Sequence, residues 1–259
     1  MTRAVEERRM AIIQKLVEEG IVRVVDLSQT FGVSQVSIRR DLTELERRGL
    51  LKRIHGGAIS LPRIILERSH NEKMRHHIEE KRRIGRAAAD MIREGEIIIL
   101  ESGTTVLQVA RHISRTLLSS GPLTVITSSI PIIHELGSWK GVHLIVLGGV
   151  YLPEQEVLVG PQTISHLIGL HADKFFTGAD GFTLSYGVTT ATVLEAETVR
   201  AMVNAAREVI AVFDSSKIGN IALTTSVPLT QITTLITDVG APADFVAAVR
   251  ERGIEVILV

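Results

Sequence analysis

Apolar positions in the first part of the chain recur at helical spacing. Over residues 5–19, Met10, Ile13, Leu16 and Val17 share one face and Gly20 marks a stop. A short segment from Val24 to Phe31 follows, then a turn at Gly32–Val33. Ser34 is then placed to cap a helix running to about Arg48, in which Ile38, Leu42 and Leu45 face one way. After Gly49 the stretch LLKRIHGGAIS predicts a short basic strand-turn-strand with Gly56–Gly57 at its tip. Three short helices and a basic hairpin predict a small α+β winged helix-turn-helix over residues 1–60.

Residues 61–86 are polar and rich in Arg and His, with helix expected from about Glu79. We place a connector at 61–80 and begin the second domain, 81–259, at Lys81. Beyond it the rhythm changes. Short apolar runs at Glu96–Leu100, Leu123–Thr127, His143–Leu147, Phe175–Gly178, Val209–Phe213, Thr234–Ile236 and Glu255–Leu258 alternate with helical stretches such as Thr105–Leu117 and Glu195–Ala206. That alternation predicts an open α/β sheet. No internal repeat or low-complexity tract interrupts it.

Composition narrows the class. The chain has 259 residues, 45% of them hydrophobic and 3% aromatic, so its core is aliphatic. No run of about eighteen apolar residues suggests a membrane span, and the charged opening MTRAVEERRMAIIQ lacks a signal-peptide core. Cysteine is absent, which excludes a disulfide scaffold and cysteine-ligated zinc. The nine His, among them His70, His76, His77 and His112, show no HExxH-like spacing, so no metal is expected. No cofactor is expected either, and a cytoplasmic location fits best. The net charge of zero hides an asymmetry: residues 1–86 carry 19 basic and 12 acidic side chains, the remainder 10 and 17. A basic leading segment on an acidic body suits contact with a polyanion, although charge runs are also common on solvated helix faces.

A recognition helix turns short polar and basic side chains toward the major groove. With Ile38, Leu42 and Leu45 inward, Gln35, Val36, Ser37, Arg39 and Arg40 face out, beside the cap Ser34. Gln pairs with adenine, Arg with guanine, and Val meets a thymine methyl. Lys52, Arg53 and His55, with Gly56 and Gly57 at the wing tip, suit phosphate contacts that position the domain. An exposed charged helix in a plain helical domain is the bland alternative, weakened by the adjoining basic hairpin.

In the second domain, ESGTT follows the first strand, and a small-residue loop before a helix leaves backbone N–H groups free for an anion. Ser102, Gly103, Thr104 and Thr105 could hold a phosphate, though tight strand-to-helix turns use the same residues. Gly148–Gly149, Gly178-Ala179-Asp180-Gly181 and Asp214-Ser215-Ser216-Lys217 also end strands, where open α/β sheets bind ligands. Lys217 could neutralise a phosphate; Asp180 and Glu195 could accept from sugar hydroxyls or serve as caps and surface charges.

The residues from ERRMAIIQ to HGGA resemble the DeoR-family DNA-binding domain. Its Ser-x-x-Thr-aliphatic-Arg-Arg-Asp-Leu signature is met by Ser34, Ser37, Ile38, Arg39, Arg40, Asp41 and Leu42, with Ser37 in place of Thr, and its Arg-x-His-Gly-Gly-Ala wing by Arg53, His55, Gly56, Gly57 and Ala58. From about Lys81 to Asp238 the motifs EKRRIGRAAADMI, ESGTT, LGGVYL, VGP, ADKFFTGADGF, GVTT, EAETVRAM and DSSKIG follow the order of DeoR-type sensor domains. This resemblance implies a fold like ribose-5-phosphate isomerase and sugar-phosphate deaminase, with SGTT holding a phosphate and Asp180, Glu195 and Lys217 lining the pocket. Glu101 stands where Asp is commoner, Ser128 where Asn is usual, and Ile218 where Phe is usual.

The expectation is a DNA-binding regulator, a repressor by the family's commoner arrangement, of a carbohydrate operon. It would bind double-stranded operator DNA as a dimer or tetramer and leave when a phosphorylated sugar shifts the DNA-reading domains through the connector. The alternatives are a sugar-phosphate isomerase or deaminase with an accessory DNA-binding domain, using Asp180, Glu195 and Lys217 as acid-base groups, or a DNA-binding protein whose second domain is only an oligomerisation scaffold.

Overall fold

A computed structural model of the chain describes residues 5, 8–9, 11–12, 15–16, 21–47, 51–54, 56–59, 70–118 and 121–259. They fall into two compact units, Met1–Arg63 and Ile64–Val259.

In the first unit the described residues between 5 and 16 are helical. Ile12 and Leu16 from this helix are buried; of the four apolar positions expected on its inner face, Met10, Ile13 and Val17 lie outside the described residues. Strand β1 (Ile21–Arg23) leads into helix α1 (Val24–Phe31), and α2 (Gln35–Arg47) begins after Ser34, whose Oγ accepts from the Ser37 N–H at 3.3 Å. Strands β2 (Lys52–Ile54) and β3 (Gly57–Ile59) form the expected antiparallel wing. β1 adds a third strand in the order β1-β3-β2, which three residues are too few to announce by alternation. Gly57 is required there, because a Cβ would lie 2.1 Å from the Val22 carbonyl oxygen. Ile12, Leu16, Leu27, Ile38, Leu42, Leu45 and Leu51 form one core.

The second unit opens with α3 (His70–Met74) and α4 (Ile78–Ala89). Residues 70–80, expected as connector, therefore belong to the body of this unit. Its centre is a parallel sheet of β4 (Ile97–Leu100), β5 (Leu123–Thr127), β6 (Val142–Val146), β9 (Ala172–Thr177), β12 (Ala206–Val212), β14 (Thr234–Thr237) and β15 (Glu255–Leu258), in the order β15-β14-β12-β9-β4-β5-β6. These are the seven runs expected from the sequence, shifted by a few residues at their ends. Side-chain alternation sends Ile98, Leu100, Phe176, Ile210 and Val212 to one face and Ile99, Phe175, Ala211 and Phe213 to the other. The first face packs under α4, α5 (Thr104–His112) and α6 (Ile130–Leu136). The second packs under α7 (Pro161–Leu167), α8 (Val193–Asn204) and α9 (Ala243–Arg250). Burial on both faces explains the nearly unbroken apolar runs.

The stretch Thr105–Leu117, expected as one helix, breaks after His112, where Ile113 leaves the helical region at ψ 124, and resumes as a short 3-10 turn over Arg115–Leu118. Two small antiparallel elements were not anticipated: the hairpin β7 (Val150–Leu152) with β8 (Val157–Val159), and a sheet of β10 (Gly181–Thr183), β11 (Gly187–Thr190) and β13 (Thr224–Val227). Strand order runs one way from β4 through β5 to β6 and the other way from β9 through β12, β14 and β15. The carboxyl ends of β4 and β9 thus flank a topological switch point, where open α/β sheets form a crevice.

Candidate functional site

On the first unit, Gln35, Val36, Arg39 and Arg40 are exposed on α2 and Ser37 is half-buried, while Ile38, Leu42 and Leu45 point into the core. The helix therefore presents the polar, basic face expected of a major-groove reader. Ser34, exposed, spends its oxygen on the helix cap. The wing is fastened to this helix: the Arg53 N–H donates to Glu46 Oε1 at 2.8 Å, and Arg53 Nη1 donates to Thr43 Oγ1 at 2.8 Å. A shallow hollow between helix and wing is lined by Val24, Arg39, Leu42, Arg53, Ile54, Gly56 and Gly57. Lys52 is exposed and Gly56 forms the open turn, whereas Gly57 is buried by its strand contact. His55 lies outside the described residues. Asp41, which the motif carries amid basic residues, points inward; it accepts from Arg8 Nε at 2.7 Å and Arg9 Nε at 2.9 Å. It ties the recognition helix to the first helix and reads nothing outside.

On the second unit, the loops after β4 and β9 enclose a cavity at the switch point. Ser102, Gly103, Thr104, Thr105, Asp180, Glu195 and Lys217 all line it, as the sequence suggested. Gly103 precedes α5, so the first-turn N–H groups of that helix have no partner within it and favour a negative charge. Asp180 follows β9, Glu195 lies in the first turn of α8, and Lys217 ends a short turn after β12 that Asp214 caps.

Gly148, Gly149 and Gly181 do not line the cavity. A Cβ on Gly149 would sit 2.1 Å from Thr163 Oγ1, and one on Gly181 would sit 2.4 Å from the Asn220 carbonyl oxygen. Both glycines allow chain segments to pack closely. Gly148 packs near the His166 ring, and its carbonyl accepts from Thr163 Oγ1.

Two lining groups were not among the site residues expected from the sequence. Lys73, from the stretch expected as connector, reaches Asp180 Oδ1 with its Nζ at 2.6 Å. Glu101, noted only as a departure from the family pattern, forms part of the wall, its Oε2 accepting from Thr177 Oγ1 and from the Gly178 N–H. Burial pushes the Glu101 carboxyl up to about 8, with the charges of Glu195 and Asp180 adding to the effect against its two hydrogen bonds. Asp180 behaves oppositely: burial favours its neutral form, but Lys73, Lys217 and the Ala191 N–H together hold its carboxyl below the ordinary range. Glu195 accepts from Thr192 Oγ1 at 2.8 Å, which caps α8 through the Glu195 N–H. Behind the cavity, buried Lys81 donates to the Lys73 and His76 carbonyl oxygens at 2.5 and 2.7 Å. Burial lowers this amine to about 8, although Asp214 favours its charge.

The cavity thus has an anion-ready loop and two lysines facing a wall of three carboxyl groups. Ser128 and Ile218 are not in its lining. Among the described residues no group of three or more His, Asp or Glu is placed to hold a metal ion, and no helix is long and apolar enough to cross a membrane.

A winged helix-turn-helix followed by an α/β unit with a crevice at its switch point is the architecture of a DNA-binding transcriptional regulator, and the family comparisons agree. Residues 8–63 match the DeoR-like helix-turn-helix domain and residues 76–239 the DeoR C terminal sensor domain. The chain belongs to the DeoR family. It is 33% identical over 254 residues to the HTH-type transcriptional repressor GlcR of Bacillus subtilis (strain 168), covering 98% of this chain and 96% of that protein. It is 38% identical over 239 residues to the lactose phosphotransferase system repressor of Streptococcus mutans serotype c, covering 90% and 92%. Among solved structures, ribose 5-phosphate isomerase A from Methanocaldococcus jannaschii matches with a TM-score of 0.41 at 16% identity, over 54% of each chain. A likeness of that size carries no activity across.

Proposed function

We propose that this chain is a cytoplasmic repressor of a carbohydrate operon that leaves its operator when a phosphorylated sugar fills the cavity of the second unit. The observation that carries the reading is the pairing, in one crevice, of the Ser102–Thr105 loop and Lys217 with Asp180 and Glu195. The loop and Lys217 suit a phosphate; the carboxylates suit the hydroxyls of the attached sugar. The two relatives, a transcriptional repressor and a lactose phosphotransferase system repressor, point the same way. Gln35, Val36, Ser37, Arg39 and Arg40 read bases, and Lys52, Arg53, His55 and the Gly56–Gly57 turn position the wing on phosphates. The protein acts as a homo-oligomer on repeated half-sites, the arrangement that gives two reading heads a common register.

Sensing is favoured over turnover by the DeoR-like helix-turn-helix carried on the same chain and by the repressor relatives. Linkage between ligand and DNA needs only differential binding.

The test is fluorescence anisotropy of the protein on its own upstream intergenic DNA, with a panel of sugar phosphates added to the complex. Release by one phosphorylated sugar, and not by its unphosphorylated form, is expected. Tight binding that no phosphate disturbs would overturn the effector, and absence of specific binding would overturn the regulator itself.

A further inference from the structure

The segment Lys73 belongs to is held against the rest of the second unit by several contacts. The His70 N–H donates to the Glu154 carbonyl oxygen at 2.6 Å. Lys73 Nζ donates to Asp180 Oδ1 inside the cavity, across 107 positions of sequence. Lys81 Nζ donates to the carbonyl oxygens of Lys73 and His76, holding the end of α3 and the turn after it. That turn passes through His77 in the left-handed region at φ 52, an uncommon state for a side-chain-bearing residue. In sequence, α3 is the first described element after the wing strand β3. A cavity side chain therefore belongs to the stretch of chain that leads directly from the DNA-reading unit.

Lys73 shares the cavity with Ser102–Thr105 and Lys217, where the proposed function puts a phosphate. A dianionic phosphate attracts an ammonium more strongly than a single carboxylate does at similar distance. A sugar hydroxyl can meanwhile donate to the Asp180 oxygen that Lys73 leaves, so neither partner is stranded. We propose that Lys73 is the residue through which the bound ligand is reported to the DNA-reading unit: it exchanges Asp180 for the ligand phosphate and shifts α3 and the following turn. This rests on the sugar-phosphate reading above. The clips at His70 and Lys81 confine the shift to α3 and the turn after it.

The experiment is hydrogen–deuterium exchange of the full chain, with and without inorganic phosphate and glucose 6-phosphate as probes, on the wild type, Lys73→Gln and Asp180→Asn. In the wild type either probe is expected to change exchange across residues 70–77 as well as at the Ser102–Thr105 loop. In Lys73→Gln the loop should still respond and residues 70–77 should not. The ratio of operator affinities without and with the probe should fall by about tenfold, as removal of one charge-assisted hydrogen bond predicts. Asp180→Asn, which leaves Lys73 without its carboxylate, should give altered exchange at residues 70–77 before any probe is added. Wild-type coupling retained in Lys73→Gln would overturn the proposal while leaving the sugar-phosphate reading intact. No response at the Ser102–Thr105 loop of the wild type to these probes or to any member of the sugar-phosphate panel would overturn both.

Discussion

Asp41 and Arg9, 32 positions apart in the sequence of the DNA-reading unit, meet in its interior: the Arg9 Nε–H donates to Asp41 Oδ1 at 2.9 Å with both side chains nearly closed to water. Arg8 completes the arrangement at 2.7 Å on the other oxygen. An acidic residue in the middle of the recognition helix therefore fixes the helix in place. Asp41→Asn takes this counter-charge from two guanidinium groups and should destabilise the unit by about 3 kcal/mol, the lower end for a broken buried pair because Arg8 keeps some access to water. Urea unfolding of the full chain, followed by a probe in residues 1–63, checks it; an unchanged midpoint would mean the pair contributes nothing net.

Arg40, one position earlier, is exposed. Arg40→Ala should leave the unfolding midpoint where it is and weaken operator binding by about 1–3 kcal/mol, the range for a base or closely held phosphate contact. Competition titrations at two salt concentrations separate the two roles. If Arg40 reads a base, the variant's preference among sequences changes; if it holds a phosphate, the salt slope falls by about one. Equal affinity on every DNA would take Arg40 out of the interface.

The parallel sheet was legible from sequence because its strands are buried on both faces and read as apolar runs. Asp180 and Lys217 were legible because strand ends converge at a switch point, and Glu195, at the start of α8, because a carboxylate there can accept from a sugar hydroxyl. Gly148 and Gly149 share that strand-end position, and only the close passage of Thr163 and Val159 shows Gly149 to be a packing glycine. Lys73 was hidden for the opposite reason. It sits in a polar stretch that reads as a connector, and its partner is brought to it by tertiary structure alone. The small sheet of β10, β11 and β13 escaped because strands of three or four residues carry too little alternation to register.

Glu101 gives the stability a pH dependence whose sign follows from its environment. Its carboxyl moves from an ordinary 4.5 to about 8 in the folded chain, chiefly through burial. Between those values the folded chain holds a proton that the unfolded chain has released, so raising the pH draws the equilibrium toward unfolding. The contribution is fully favourable below pH 4.5 and is lost as the pH rises through 8. Glu101→Gln keeps an acceptor for Thr177 and the Gly178 N–H and removes the titration. Its stability should be flatter than the wild type's from pH 5 to 8 and higher at the alkaline end, by urea unfolding across that range. Parallel curves for the two proteins would place the pH dependence on another group.

Two neighbouring hydroxyls at the end of β5 should respond in opposite directions to removal. Thr127 Oγ1 donates to the Leu100 carbonyl oxygen at 2.7 Å and accepts from the Ser129 N–H at 3.1 Å, joining β5 to β4 and starting the turn into α6. Thr127→Val keeps the shape and removes both bonds, leaving a buried carbonyl and a buried N–H unsatisfied, and should cost about 1–3 kcal/mol. Ser128 Oγ is equally buried, yet no hydrogen-bond partner stands near it among the described residues. Its main chain does the structural work, the carbonyl oxygen accepting from the Leu158 N–H at 2.9 Å. Ser128→Ala removes a desolvated hydroxyl and only one heavy atom, so the relief outweighs the small void and stability should rise by about 1 kcal/mol. Thermal and urea unfolding of the two variants side by side make the comparison. A loss of stability in Ser128→Ala equal to that in Thr127→Val would show that the Ser128 hydroxyl is bonded in solution, for instance to a buried water bridging β5 and the β7–β8 hairpin.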